Sequence, residues 1–235
     1  MRYFSIISLV FIFSCNQQKK ETKIEKPIIE ETVLKTDTLK LSLDKDLLEN
    51  DWVLIQLLEK KYTKDSILNA KYRFDFYRND SLVNKSYVLL KDLFEENADW
   101  YSQNGFKYEE TSKYYPFLTI SNGYPACGYQ QTHFLFYTED NAFDLVHDYV
   151  TYSDSGWGRY IEFFEKNKNF IISRNSSFGP DEKSTYIENM GIEEISDSIH
   201  FKLENNKWIK TYITPKDTIY RSKKISFDKF HNIKE

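Results

Sequence analysis

Asparagine and aspartate residues recur between stretches in which apolar and polar residues alternate, and this pattern constrains the fold most. Alternation with a period of two is typical of β-strands with one buried face. Asn and Asp tolerate the positive φ that tight hairpin turns need. Four hairpins are predicted, formed by residues 70–77 with 82–90, 133–137 with 143–150, 160–164 with 170–173, and 198–203 with 208–214. The sequence therefore predicts a mainly β fold of antiparallel hairpins, as a sandwich, a barrel or a meander.

One short helix is predicted near residues 93–103. Asp92, followed three residues later by Glu95, resembles a capping box, and apolar residues recur after it at helical spacing. Asn104 and Gly105 would end this helix. Residues 45–62 fit either a helix or a strand, and their apolar run at 52–55 favours a strand.

The chain is close to neutral overall, but its charge is uneven. The formal net charge is -4, which argues against nucleic acid as a partner. Residues 92–206 carry twenty acidic and eight basic side chains, a net charge of -12, whereas residues 207–235 carry three acidic and eight basic, a net of +5. Packing of the basic segment against the acidic body is the favoured interpretation, and binding of a partner is the alternative.

The N-terminus has the pattern of an export signal. Arg2 precedes an apolar stretch at residues 3–13. As a helix this stretch would span roughly 16 Å, about half the hydrocarbon core of a bilayer. It is therefore too short for a transmembrane helix and has the length of a signal-peptide core.

The residues that follow, Ile12-Phe13-Ser14-Cys15, resemble the lipobox of bacterial lipoproteins, although Phe13 is larger than the residue usual at its position. The resemblance implies cleavage before Cys15, which then carries diacylglycerol and an amide-linked acyl chain such as palmitate. Several acyl chains anchor a protein stably to a membrane. The residue after the cysteine is Asn16 rather than Asp, which in the family's sorting pattern implies the outer membrane of the cell envelope.

These features predict three parts of the chain. Residues 1–14 are a signal peptide, residues 15–44 a flexible lipidated tether, and residues 45–235 a single β-rich domain. The tether prediction rests on a stretch dense in Lys, Glu and Thr without an aromatic residue. If Cys15 is lipidated, Cys127 has no intramolecular partner, and burial is its expected state.

Two glycine-rich aromatic segments, residues 122–129 and 153–159, flank the hairpin at 133–150. Strands of a hairpin lie about 5 Å apart, so both segments should meet at its open end. The predicted ligand-binding residues there are Tyr124, Tyr129, Gln130, Asp154, Trp157 and Arg159. Aromatic faces beside polar side chains suit a sugar ring or a peptide surface. The alternative is that glycine and aromatic residues serve only tight turns and the core.

The same hairpin predicts a strand register. Pairing Phe136 with Leu145 and Phe134 with His147 would form an apolar face. His133 would then lie opposite Asp148, as a surface pair or as a catalytic one, and His147 would be a core histidine with a hydrogen-bond partner.

No strong catalytic motif, metal site or cofactor site is found in the sequence. We therefore expect a membrane-tethered envelope lipoprotein, not an enzyme, whose domain binds a glycan or an envelope protein. Its sequence segments are similar to those of uncharacterised exported lipoproteins, which implies no activity. A cell-wall or polysaccharide hydrolase using Asp154, and a toxin-neutralising immunity protein, are the alternatives.

Overall fold

Thirteen strands and one helix make up the regular structure in the computed structural model. It describes residues 31–41, 51–65, 67–93, 98–106, 116–123, 128–138, 142–167, 169–183 and 189–234. The elements in chain order are β1 Lys35–Lys40, β2 Trp52–Tyr62, β3 Leu68–Arg78, β4 Ser81–Leu93, β5 Asp99–Asn104, β6 Phe117–Gly123, β7 Tyr129–Tyr137, β8 Asp144–Asp154, β9 Trp157–Asn167, β10 Phe170–Pro180, β11 Met190–Glu204, β12 Lys207–Tyr212, β13 Ile219–Ser226 and α1 Phe227–Lys234. The signal segment and Cys15 lie outside the described residues.

The strands form two antiparallel sheets. The first has the order β1-β2-β3-β4, and the second runs β12-β11-β10-β9-β8-β7-β6-β5 with β13 also paired to β11. All four predicted hairpins are present, and the ambiguous segment at 52–62 is a strand. Asn79, Asp80, Asn205 and Asn206 have positive φ angles of 46°, 59°, 49° and 58°, as tight hairpin turns need. The mainly β, antiparallel prediction is confirmed.

Three apolar clusters show how the sheets pack. Phe74 and Phe76 of the first sheet contact Phe134 and Phe136 of β7 in the first cluster. On the opposite side of β7, the second cluster joins residues of β6–β8 to residues of β9–β12. This is the expected result of alternation along β7, which points successive side chains to opposite faces. Strands β5–β8 therefore form a central layer that is covered on both faces.

Strands β8 and β9 pair over three residues each, Tyr152–Asp154 with Trp157–Arg159. Beyond this short ladder β9 leaves β8, and β9–β12 fold back over the central layer. Contacts such as that between Phe106 and Phe163, whose ring centroids lie 4.8 Å apart, fill the space between the two layers.

The third cluster packs α1 against the second sheet. Phe230 of α1 is buried and stacks on Phe178 of β10, with ring centroids 3.9 Å apart. The Ser226 hydroxyl accepts a hydrogen bond from the backbone N–H of Lys229 at 3.4 Å, and Asp228 lies in the first turn. Both features favour a helix start at this position.

The helix predicted near residues 93–103 is wrong in position. Leu93 ends β4, and residues 99–104 form β5, which pairs with β6 from Asp99↔Gly123 to Asn104↔Leu118. Trp100 of β5 packs edge-on against Phe74, with ring centroids 5.3 Å apart. The pairing of β5 with the buried strand β6 favoured a strand more than the helical spacing of its apolar residues favoured a helix. Residues 94–97, which include the predicted Glu95 cap, lie outside the described residues.

The flexible tether predicted through residue 44 is also wrong at its C-terminal end. Residues 35–40 form β1 and pair along β2, from Lys35↔Leu57 to Lys40↔Trp52. Leu39 packs against the first cluster, and Leu41 is buried within it. Leu39 and Leu41 share one face because strand side chains alternate. The sequence did not indicate this short edge strand, because Lys and Thr residues surround its apolar residues.

The register predicted for β7 and β8 is correct at one pair and wrong beyond it. Phe136 lies opposite Leu145, but the register shifts between Leu135 and Phe136. Phe134 therefore pairs with Asp148 rather than His147, and His133 pairs with Tyr149. A bulge adds one residue to a single strand and moves every later partner by one.

Candidate functional site

The described parts of the two glycine-aromatic segments meet where β7 begins, β8 ends and β9 begins. Tyr129 pairs with Ser153, and Ser153 pairs in turn with Gly158. Tyr124 and Cys127 lie outside the described residues, as does the side chain of Tyr129. Three adjacent strands thus place Gln130, Asp154, Trp157 and Arg159 in one region of the sheet.

The turn between β8 and β9 requires glycine. A Cβ added to Gly158 would lie 2.0 Å from the backbone oxygen of Tyr152. Gly156 has a φ of +85°, which glycine adopts without steric cost. Ser155, with φ of 51°, donates a hydrogen bond to Asp154 at 3.1 Å. Asp154, the last residue of β8, is exposed beside this turn.

Trp157 turns towards the third cluster. Its ring stacks on Phe178 at 4.6 Å and meets Phe227 of α1 edge-on at 5.0 Å. A Cβ added to Gly191 would lie 2.6 Å from the Trp157 ring. The glycine at 191 therefore makes room for the indole, and Trp157 fixes the helix to the sheet rather than joining Gln130 and Arg159.

Gln130 and Arg159 both line a groove of about 360 Å³ between β4 and the β7–β9 surface. Its lining residues are Leu89, Lys91, Gln130, Thr132, Asp148, Tyr149, Val150, Tyr152 and Arg159. Tyr152 lies opposite both Gln130 and Arg159 in the sheet, and it is 48% exposed. An aromatic ring is thus flanked by an amide and a guanidinium group, a combination that binds sugars and peptides.

Sequence reasoning missed seven residues of this groove: Leu89, Lys91, Thr132, Asp148, Tyr149, Val150 and Tyr152. Tyr152 could have been found by extending the predicted hairpin two residues past 150, where it faces Gln130. Leu89 and Lys91 belong to the other sheet. No local pattern in the sequence indicates that β4 approaches β8.

A second groove, of about 280 Å³, adjoins the first and shares Leu89 and Lys91 with it. Lys61 and Glu59 form an ion pair in its wall, and the hydrogen bond from Lys61 lowers the pKa of Glu59. The ammonium of Lys71 lies 5.3 Å from the centre of the Tyr87 ring. Lys91 and Arg159 make no ion pair within the part of the chain that the structure describes, and both line the first groove together with Asp148.

A histidine with two hydroxyl neighbours lies between β6, β7 and β8. His133 Nδ1 is 2.7 Å from the Ser121 hydroxyl, and His133 Nε2 is 2.8 Å from the Thr151 hydroxyl. Burial lowers the pKa of His133 to about 4. A serine beside a histidine is the arrangement of an activated nucleophile, yet Ser121 is 0% exposed. The group therefore serves the core, and the predicted pairing of His133 with Asp148 is absent.

His147 is a buried core histidine, but the predicted hydrogen-bond partner is not found at one ring nitrogen. Its ring packs on Phe201, with centroids 4.8 Å apart. Nδ1 has no hydrogen-bond partner. Burial, and secondarily the positive charge of Lys210, lowers the pKa of His147 to about 3.

Two other types of site are not found among the described residues. No group of three or more His, Cys, Asp or Glu side chains there could hold a metal ion. No helix in the described ranges is long and apolar enough to cross a bilayer. Comparisons of the chain with protein-family models, curated proteins and solved structures give no match.

Proposed function

We propose that this chain is a lipid-anchored protein of the bacterial envelope whose β domain binds a glycan without transforming it. The binding site is the groove that joins Gln130, Tyr152 and Arg159. The observation that carries this proposal is the half-exposed Tyr152 ring between two polar side chains on a rigid sheet.

The groove chemistry supports a sugar ligand. The face of a tyrosine ring packs against the C–H face of a pyranose, while amide and guanidinium groups donate to hydroxyl or carboxylate oxygens. Asp148, on the same wall, can accept hydrogen bonds from sugar hydroxyls. Because these side chains project from paired strands, little ordering entropy is lost on binding.

The sequence pattern at Ile12–Cys15 supports the proposed anchor. Nineteen residues separate Cys15 from Lys35, where β1 begins. A segment of that length spans at most about 65 Å when fully extended, so a lipid on Cys15 would hold the domain within that distance of the bilayer. In this arrangement the groove samples glycans next to the membrane surface.

The proposal is tested with the compact unit formed by residues 32–235 on a glycan array that includes cell-wall fragments. We expect selective binding, and about tenfold or greater weakening by Tyr152→Ala and by Arg159→Ala. The matched control is Tyr212→Ala. Tyr212 is also an exposed tyrosine, but it lies on β12, which β11 and β10 separate from β9 in the sheet.

Two outcomes would contradict the proposal. Equal binding by the wild type and both groove variants would remove the groove as the site. Release of soluble sugar, abolished by Asp154→Asn, would instead indicate the hydrolase alternative. Circular dichroism checks that each variant retains the fold.

A further inference from the structure

Exposed apolar side chains concentrate at one edge of the large sheet. Among the described residues, fourteen large apolar side chains are exposed, and five of them lie between residues 209 and 220. We call these five the edge patch: Ile209, Tyr212, Ile213, Ile219 and Tyr220. Ile213 and Ile219 are each 53% exposed. Exposed apolar side chains grouped in one segment are a feature of interaction sites.

The edge patch surrounds a loop that interrupts an edge strand. Both β12 and β13 pair with β11, at Ile199↔Tyr212 and near Ser196↔Ile219. Residues 213–218 leave the sheet between these two pairs. The loop therefore projects from the sheet edge, with one exposed isoleucine at each of its ends.

Hydrogen bonds hold this loop in one conformation. Asp197 is buried, with φ of 46°, and its Oδ1 accepts the backbone N–H of Asp217 at 2.6 Å. The backbone N–H of Ser198 donates to the Thr214 hydroxyl at 3.0 Å, and that of Ile213 to the Ser198 carbonyl at 2.7 Å. The apolar side chains are thus presented on a fixed support.

Basic side chains surround the edge patch. Residues 207–224 carry six basic side chains and one acidic, Asp217, a net charge of +5. Lys224 pairs with Asp181 of the acidic body at 2.7 Å, and Lys216 pairs with Asp217 at 3.8 Å. The other four, which make no ion pair within the described residues, are exposed: Lys207, Lys210, Arg221 and Lys223. The basic segment is therefore only partly neutralised by the body.

From this combination we propose that the edge patch docks the domain on an anionic lipid bilayer. Side chains such as Ile213 and Ile219 would enter the boundary between headgroups and acyl chains, as apolar residues of interfacial segments do. The surrounding lysines and Arg221 would contact lipid phosphates, each adding a roughly fivefold gain in affinity. A neutral protein partner would match the isoleucines but would give no counter-charge to the four basic side chains that make no ion pair.

This inference goes beyond the glycan-binding proposal and depends on different residues. Docking through the edge patch would fix the orientation of the domain, which a tether alone leaves free. The test uses residues 32–235, so it is independent of any lipid at Cys15.

The experiment measures flotation with vesicles of phosphatidylcholine alone and with equal parts of phosphatidylglycerol. The wild type should float only with the anionic vesicles, and salt should weaken the binding. Ile213→Ser/Ile219→Ser should weaken binding about fivefold for each isoleucine. Lys207→Gln/Arg221→Gln/Lys223→Gln should weaken it about fivefold for each charge.

Matched controls alter the same residue types elsewhere on the surface. Leu82→Ser/Leu145→Ser removes exposed apolar side chains, and Lys40→Gln/Lys64→Gln/Lys85→Gln removes exposed charges. Both should bind as the wild type does. Failure of the wild type to bind, or equal binding by the edge-patch variant, would overturn the proposal. Sedimentation showing dimers that this variant disperses, without vesicle binding, would assign the patch to self-association and overturn it as well.

Discussion

The imidazole of His133 lies nearly flat against the phenol ring of Tyr149, with ring centroids 4.7 Å apart and planes 22° apart. Both ring nitrogens lie within hydrogen-bond distance of hydroxyl groups, those of Ser121 and Thr151. Burial favours the neutral ring, because the charged form would lose its hydration.

Acid should destabilise this fold through its two buried histidines. The pKa of His133 is lowered to about 4 and that of His147 to about 3, from 6.5. The unfolded chain therefore binds more protons between pH 6.5 and 4, and the free energy of unfolding decreases as the pH falls through this window. From pH 7 to pH 5 we expect a loss of roughly 2 kcal/mol per histidine, measured by urea denaturation.

Two variants separate this effect from general acid sensitivity. His133→Gln should reduce the pH dependence by about half, whatever its effect on stability at pH 7. Phe164→Ala, at an exposed position on β9, should leave the dependence unchanged, because it removes no titratable group. A denaturation midpoint that stays constant between pH 7 and pH 5 would contradict the prediction.

Gly158→Ala should strongly destabilise the protein, by roughly 3 kcal/mol or more. The new Cβ would lie 2.0 Å from the Tyr152 carbonyl oxygen, and the obstructing atom is backbone. Gly179→Ala is the control, since no atom lies within 4 Å of its added Cβ. Thermal denaturation compares them, and similar midpoints for the two variants would refute the close approach of β8 and β9.

Phe230→Ala should cost roughly 3–4 kcal/mol, because it empties the centre of the third cluster. Phe230 is 2% exposed and stacks on Phe178. Phe164→Ala, at a 38% exposed phenylalanine on β9, should cost about 1 kcal/mol or less. Chemical denaturation measures both, and an inversion of the order would show that α1 adds little to stability.

Asp197→Ala should loosen the loop at residues 213–218, because the backbone N–H of Asp217 would lose its buried acceptor. We expect faster tryptic cleavage after Lys216 and a loss of stability of about 2 kcal/mol. Asp65→Ala, at an exposed carboxylate, is the control. Unchanged cleavage after Lys216 would mean that the loop does not depend on Asp197.

The hairpins could be predicted because their turns are encoded locally. Asn79-Asp80 and Asn205-Asn206 adopt the positive φ that their residue types permit. The bulge near Leu135 could not be predicted, since it depends on packing against both neighbouring layers. The same is true of β5, whose strand pairing with β6 outweighed its helix-like spacing.

The candidate site was predictable in part for the same reason. Hairpin geometry alone indicates that Gln130 and Arg159 approach each other, and the structure brings them into one groove. The orientation of Trp157 depends on Phe178 and Gly191, which follow it by 21 and 34 residues. No pattern local to Trp157 specifies contacts so distant in the chain.

The short ladder between β8 and β9 places the groove where two layers of the domain are joined. Three residues on each strand carry the backbone connection between the central layer and β9, so the two layers are held together mainly by side-chain packing. Tyr152 and Arg159 form the last pair of that ladder, and both line the groove. A ligand that binds both side chains would connect β8 to β9 at the end of the short ladder, and would oppose separation of the two layers.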